Sequence, residues 1–87
     1  MNTHIAEYAE LKWRCRRGML ELDLILQPFV ENIYPNLEPS DQALYQLLLE
    51  EQDTDLFSWF LSRQSPEDPN LQRIVQIIRD NTGKKPA

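Results

Sequence analysis

The chain is short of glycine, cysteine and histidine, and each shortage excludes a class of function. It has two glycines, one cysteine and one histidine in 87 residues. β-Sandwiches, barrels and phosphate-binding loops use glycine freely at turns, so this composition disfavours them. One cysteine cannot form an intramolecular disulfide, which favours a reducing compartment. One histidine and one cysteine cannot supply the ligands of a zinc site, so we expect no metal centre.

Long apolar runs and an excess of positive charge are also absent. No stretch approaches the ~20 apolar residues that span a bilayer. The N-terminus lacks the basic region and apolar run of a signal peptide. The net charge of −5 argues against attraction of the whole protein to nucleic acid or anionic membranes. We therefore expect a soluble, cytoplasmic protein that neither inserts into membranes nor binds nucleic acid.

Apolar residues recur at helical spacing, and no segment alternates as a strand would. We expect an all-α fold, a compact bundle of about five short helices, in one domain over residues 1–87 with a frayed tail over 82–87. The helices are expected from Ile5 to Cys15 (ended by a left-handed cap at Gly18), from about Met19 to Tyr34 (kinked or split at Pro28), from near Pro39, from an N-cap at Asp53, and from Asp68-Pro69.

The apolar positions of these helices predict the core. They are Ile5, Tyr8, Leu11 and Cys15; Leu22, Ile25, Leu26, Phe29 and Ile33; Ala43, Leu44, Leu47 and Leu48; Leu56, Phe57, Trp59, Phe60 and Leu61; and Leu71, Ile74, Val75 and Ile78. Cys15 is interpreted as a small core residue, with redox sensitivity as the lesser alternative because cations surround it.

The segment from Lys12 to Arg17 departs from the acidic character of the rest of the chain. It holds four of the nine basic residues within six positions. Favourable interaction with the helix dipole explains the sign of these charges, but not their crowding. Trp13 lies among them, one position off the apolar stripe of its helix. An exposed aromatic residue beside arginines is a common interface anchor, so this segment is a candidate docking surface.

The residues from Arg16 to Asp23 read Arg-Arg-Gly-Met-Leu-Glu-Leu-Asp. They resemble the signature of the small assembly-factor family that promotes covalent attachment of FAD to the flavoprotein subunit of succinate dehydrogenase. That signature is Arg-Gly-x-x-Glu, often extended to Arg-Arg-Gly-Met-x-Glu-Leu-Asp. The likeness continues through Pro28-Phe29 and Tyr34 into the Asp-x-Asp-Leu-Phe-x-Trp pattern of residues 53–59, and so covers nearly the whole chain.

The resemblance implies an assembly factor or chaperone and not an enzyme. It implies binding to the flavoprotein subunit of succinate dehydrogenase, with that of fumarate reductase as a second client. It also implies that the chain acts on a client that carries FAD and binds no cofactor stably itself. We expect a monomer, although the sequence leaves dimerisation open. The expected partner-binding residues are Lys12, Trp13, Arg16, Arg17, Gly18, Glu21 and Asp23.

Roles for four of these residues follow as hypotheses from the resemblance and their chemistry. Arg16 and Arg17 would pair with carboxylates of the client, Gly18 would allow close backbone approach, and Glu21 would position a cation of the client or of the motif. Two other functions stay open. One is a regulatory or antitoxin-like protein that binds through the basic segment 12–17. The other is an enzyme that transfers FAD itself, which the lack of a dinucleotide-binding fingerprint disfavours.

Overall fold

The computed structural model describes the backbone of residues 3–82 and the side chains of residues 8–82. Within that range the chain forms five α-helices and no strand, which confirms the predicted all-α bundle. The helices are α1 (Thr3–Arg14), α2 (Leu20–Asn32), α3 (Pro39–Leu48), α4 (Asp53–Phe60) and α5 (Pro69–Asn81), with a short 3₁₀ turn at Tyr34–Asn36. The predicted side chain of Ile5 and the tail beyond Thr82 lie outside the described residues. No helix within residues 3–82 has both the length and the apolar character to cross a bilayer.

Helix α2 lies at the centre of the bundle and packs against α1, α4 and α5, while α3 packs mainly against α5. Its buried face carries Leu22, Leu26 and Phe29, as the spacing predicts, together with Val30. The helix is not split at Pro28, contrary to one of the two outcomes expected there. Because Pro28 is exposed, its missing N–H and its ring lie on the solvent side of the helix.

The buried face of α3 differs from the predicted one. The sequence predicts Ala43, Leu44, Leu47 and Leu48, but Ala43 and Leu47 are exposed and Leu44 is half-buried. Leu48 is buried as predicted, but Asp41 and Tyr45 are buried in place of the other three, so the buried face is rotated around the helix axis by about one residue position.

Polar anchors explain this rotation of α3. Arg73 of α5 donates to both carboxylate oxygens of Asp41, at 2.8 and 3.1 Å. The Tyr45 hydroxyl donates to the carbonyl of Leu26 at 3.1 Å. Both partners lie on other helices, so hydrophobic periodicity along α3 cannot reveal them.

Helices α4 and α5 follow the sequence more closely. Leu71, Ile74, Val75 and Ile78 are all buried, and the side chain of Asp68 accepts from the Asn70 N–H as the predicted cap of α5. In α4 the residues Leu56, Trp59 and Phe60 are buried and Phe57 is half-buried. Leu61 is exposed because α4 ends at Phe60 and the backbone turns at Ser62, whose φ is 63°.

Two predicted helix caps are wrong. Helix α1 ends at Arg14, so Gly18 lies too far along the chain to cap it, although its φ of +81° is the left-handed conformation expected of it. Asp53 is the first residue of α4 instead of its N-cap, which is Gln52. Its carboxylate binds a residue of the loop between α1 and α2.

Candidate partner-docking site

The predicted site residues lie in or next to the loop of residues 15–19 between α1 and α2, which we call the motif loop. Two backbone bonds, from the Cys15 N–H to the Leu11 carbonyl at 3.2 Å and from the Arg16 N–H to the Trp13 carbonyl at 3.0 Å, turn the chain at its start. The Arg17 N–H then donates to the Asp23 carboxylate at 2.8 Å. Asp23 thus ties the loop to the first turns of α2, a role within the chain.

The Arg17 side chain fastens the same loop to the other side of the bundle. Its Nε donates to Asp53 at 2.6 Å, its Nη1 to the Leu49 carbonyl at 2.7 Å and its Nη2 to the Glu51 carbonyl at 2.5 Å. These carbonyls follow the end of α3, where backbone acceptors lack helical donors. The side chain is only 14% exposed. Three of its donor atoms are therefore engaged inside the protein, which sequence reasoning did not anticipate.

Cys15 anchors the start of the motif loop in the core. Its Sγ lies 3.1 Å from the hydroxyl oxygen of Tyr45, which in turn donates to Leu26. Burial raises the pKa of the Cys15 thiol, and the hydrogen bond with Tyr45 and the charge of Arg17 only partly oppose this. A buried thiol with a raised pKa is a poor nucleophile, so the structure supports the interpretation of Cys15 as a core residue.

The outer surface of the loop and its flanks carries the remaining predicted residues. Trp13 is exposed, and the Arg16 guanidinium lies over its ring at 5.5 Å from the centroid. The Lys12 ammonium lies at the same distance over the Tyr8 ring. The cations thus extend over aromatic faces and leave their charges in solvent.

Gly18 and Glu21 are both exposed beside these residues. A Cβ built on Gly18 meets no atom within 4 Å, so the surface there is open. The described part of the chain offers the Glu21 carboxylate neither a hydrogen bond nor an ion pair. The outward side of the site therefore presents cations, an aromatic ring, an open stretch of backbone and the exposed carboxylate of Glu21.

A groove of about 360 Å³ separates α1 from α2 next to this surface. Lys12, Trp13 and Arg16 line its α1 side, and Gln27 and Glu31 line its α2 side. Among residues 8–82, no cluster of histidine, cysteine or carboxylate side chains could hold a metal ion. The arrangement suits protein recognition, since it combines an exposed aromatic ring with charges of both signs.

Comparison with known proteins shows which family this chain belongs to. The family described as flavinator of succinate dehydrogenase matches residues 9–82, which include the motif loop and all of its internal partners. The chain belongs to this family.

Individual relatives agree over almost their whole length. The protein named FAD assembly factor SdhE in Pseudomonas aeruginosa is 51% identical over 79 residues, which cover 87% of this chain and 94% of the relative. Its namesake in Pseudomonas putida is 49% identical over 79 residues, covering 91% and 94%. That of Shewanella oneidensis is 48% identical over 71 residues, covering 82% and 87%. These names describe an assembly factor, which agrees with the expectation that the chain is not an enzyme.

Proposed function

We propose that the chain binds the flavoprotein subunit of succinate dehydrogenase and promotes the covalent attachment of FAD to it. One observation supports this most directly. In a member of the flavinator family, the exposed residues Trp13, Arg16, Gly18 and Glu21 lie around a single loop that internal hydrogen bonds hold in place. A docking surface that is ordered before binding avoids part of the entropic cost of association.

The proposed action is positional. Covalent flavinylation requires a nucleophilic side chain of the client to meet the flavin ring in a reactive geometry, and the bond-making chemistry belongs to the cofactor and client. A helper that holds the client in that geometry can lower the barrier without a catalytic group of its own. The chain therefore needs no stably bound FAD, and it acts on a client that carries the cofactor.

Five of the predicted site residues face the client in this proposal. Lys12 and Arg16 pair with carboxylates of the client, Trp13 supplies an apolar anchor, and Glu21 binds a cation of the client. Gly18 permits close approach of the client to the loop backbone.

Arg17 and Asp23 support this surface from behind. Their side chains bond mainly within the chain, so we assign them the role of positioning the loop and not of pairing with client carboxylates. The flavoprotein subunit of fumarate reductase is a second proposed client. Action as a cytoplasmic monomer is part of the same proposal.

The geometry weakens the alternative of a regulatory or antitoxin-like protein that binds through the basic segment. Two of its four cations are engaged within the chain, because Arg17 binds Asp53 and Arg14 donates to the Gln46 carbonyl at 3.3 Å. Of the cations that remain, Lys12 lies in the last turn of α1 and Arg16 in the motif loop, so they do not line a helix that could enter a groove of DNA.

Flavin fluorescence of the denatured succinate dehydrogenase flavoprotein, run on a gel from cells with and without this protein, tests the proposal. We expect the covalent flavin band to be lost without the protein. Wild type should restore it, while Glu21→Ala and Gly18→Arg should not. Glu38→Ala is the matched control, since Glu38 is an exposed carboxylate at the N-terminal end of α3, whereas the motif loop is bonded to residues beyond the other end of that helix. A band that is unchanged when the protein is deleted would contradict the proposed function.

A further inference from the structure

The most exposed large apolar side chains of residues 8–82 lie on both flanks of the motif loop. Trp13 is 69% exposed, Leu20 68% and Leu24 65%. The other strongly exposed leucines, Leu47 at 41% and Leu61 at 46%, lie on α3 and after α4. A helix of a bundle this small normally turns its leucines inward, so two adjacent leucines outside require an explanation.

Leu20 and Leu24 lie on the same face of α2 as two of the residues that line the groove between α1 and α2. The positions 20, 24, 27 and 31 are spaced by four, three and four residues and therefore share one face of α2. Gln27 and Glu31 line the groove opposite Lys12, Trp13 and Arg16. Trp13 lines the groove, and Leu20 and Leu24 extend the lining face of α2 towards the motif loop. We call this surface the α1–α2 strip (residues 12, 13, 16, 20, 24, 27 and 31).

The backbone of this strip also offers an acceptor. Pro28 has no N–H, so the carbonyl of Leu24 lacks its usual donor four residues along the helix. Both residues are exposed. A donor from a bound partner can satisfy this carbonyl next to the apolar contact.

The charges at the edges of the strip are of opposite sign. Lys12 and Arg16 lie on the α1 edge of the strip. Glu31 lies on its α2 edge, and Glu21 lies in the first turn of α2. An apolar centre with a charged rim is the usual anatomy of a protein–protein interface. The charge order selects a partner segment with apolar side chains in the middle, a carboxylate on one side and a cation on the other.

We propose that the α1–α2 strip is a second part of the docking surface, and that an amphipathic segment of the flavoprotein client occupies it. The client is assigned as occupant because the strip is continuous with Gly18 and Glu21 of the motif loop. This inference rests on the proposed function and adds to it the apolar contacts of Leu20 and Leu24. Neither leucine belongs to the Arg-Gly-x-x-Glu signature positions.

Affinity for the purified succinate dehydrogenase flavoprotein subunit, measured by titration calorimetry, tests this surface. The variant Leu20→Gln/Leu24→Gln removes the apolar contacts but keeps helix propensity. The matched control is Leu47→Gln/Leu61→Gln, which changes two exposed leucines elsewhere. The free energy gained by burying one leucine side chain raises the affinity by about tenfold or more. We expect the first variant to bind at least tenfold more weakly and the control to bind within about twofold of wild type, with both melting as wild type does.

The same titrations separate this inference from the proposed function. If Glu21→Ala abolishes binding but the Leu20/Leu24 variant binds like wild type, the strip is not part of the interface and the proposed function stands. If wild type itself does not bind the subunit, both fall. Sedimentation equilibrium covers the other occupant: a wild-type dimer that the Leu20/Leu24 variant disrupts would show that a second copy covers the strip and would overturn the assignment.

Discussion

The Arg17 guanidinium donates through its Nε to the Asp53 carboxylate at 2.6 Å, across 36 positions of sequence. This bond joins the motif loop to the first residue of α4. Two further bonds from the same guanidinium reach the carbonyls of Leu49 and Glu51, so one side chain connects the site to the junction of α3 and α4. Arg17 therefore holds the motif loop in position through bonds inside the protein.

Replacement of Arg17 should cost stability, whereas replacement of its neighbour should not. Arg17→Ala leaves Asp53 and two carbonyls without their charged donor, and we expect a loss of about 1–3 kcal/mol in the free energy of unfolding. Arg17→Lys should recover only part of this, because an ammonium cannot reproduce the planar fork. Arg16→Ala, at an exposed site, should change stability by less than about 0.5 kcal/mol. Urea unfolding measures all three, and equal effects of Arg16→Ala and Arg17→Ala would refute the assignment.

Substitution of Gly18 should separate backbone strain from surface contact. No atom opposes a Cβ at this position, so the cost of Gly18→Ala comes from the φ of +81° and should be about 1 kcal/mol. Gly18→Asn should cost less, since asparagine tolerates this conformation better. Because asparagine still adds a side chain to the open surface, we expect it to lower flavinylation by more than its small loss of stability explains. Thermal melting and the flavin gel together measure both effects; a fully active Gly18→Asn variant would argue against close approach at Gly18.

The buried pair of Cys15 and Tyr45 should make the fold sensitive to alkaline pH. Burial raises the pKa of both groups above their ordinary values of 9.0 and 10.0. The folded state therefore holds these protons more tightly than the unfolded state does. Their contribution to stability is complete below about pH 9 and is lost as the pH rises further.

Unfolding midpoints in urea between pH 7 and pH 11 check this dependence. Tyr45→Phe removes one titrating group and the bond to the Leu26 carbonyl. The variant should be less stable at pH 7, and its stability should fall less steeply than that of wild type above pH 9. Parallel pH profiles for the two proteins would contradict the assignment to this pair.

Truncation of two adjacent leucines of α3 should change stability by very different amounts. Leu48 is fully buried, so Leu48→Ala should lower the free energy of unfolding by about 2–5 kcal/mol. Leu47 is exposed, so Leu47→Ala should change it by less than about 0.5 kcal/mol. Chemical unfolding of the two variants measures the rotation of α3 directly. A large loss of unfolding free energy in Leu47→Ala would instead support the buried face that the sequence predicts.

Local signals explain which parts of the fold were predictable. The spacing of Leu71, Ile74, Val75 and Ile78 and the cap at Asp68-Pro69 all act within one helix, and the structure confirms each of them. The exposure of Trp13 could also be predicted, since it lies off the apolar stripe of α1. Helix formation and amphipathic burial depend on neighbours three or four positions away, which the sequence displays directly.

The sequence by itself determined the helices, most of the core and the residues that gather near the motif loop. Only the tertiary structure decided what those residues do. The sequence predicts that Arg17 pairs with a client and that Asp53 caps a helix, yet the two bind each other across the bundle. On α3 the structure buries Tyr45 more deeply than Leu44 and Leu47, because the Tyr45 hydroxyl bonds to Cys15 and to the Leu26 carbonyl on two other elements. Hydrogen bonds between distant residues leave no periodic trace in the chain, so the division of the site into contact residues and internal supports appears only when the helices are packed together.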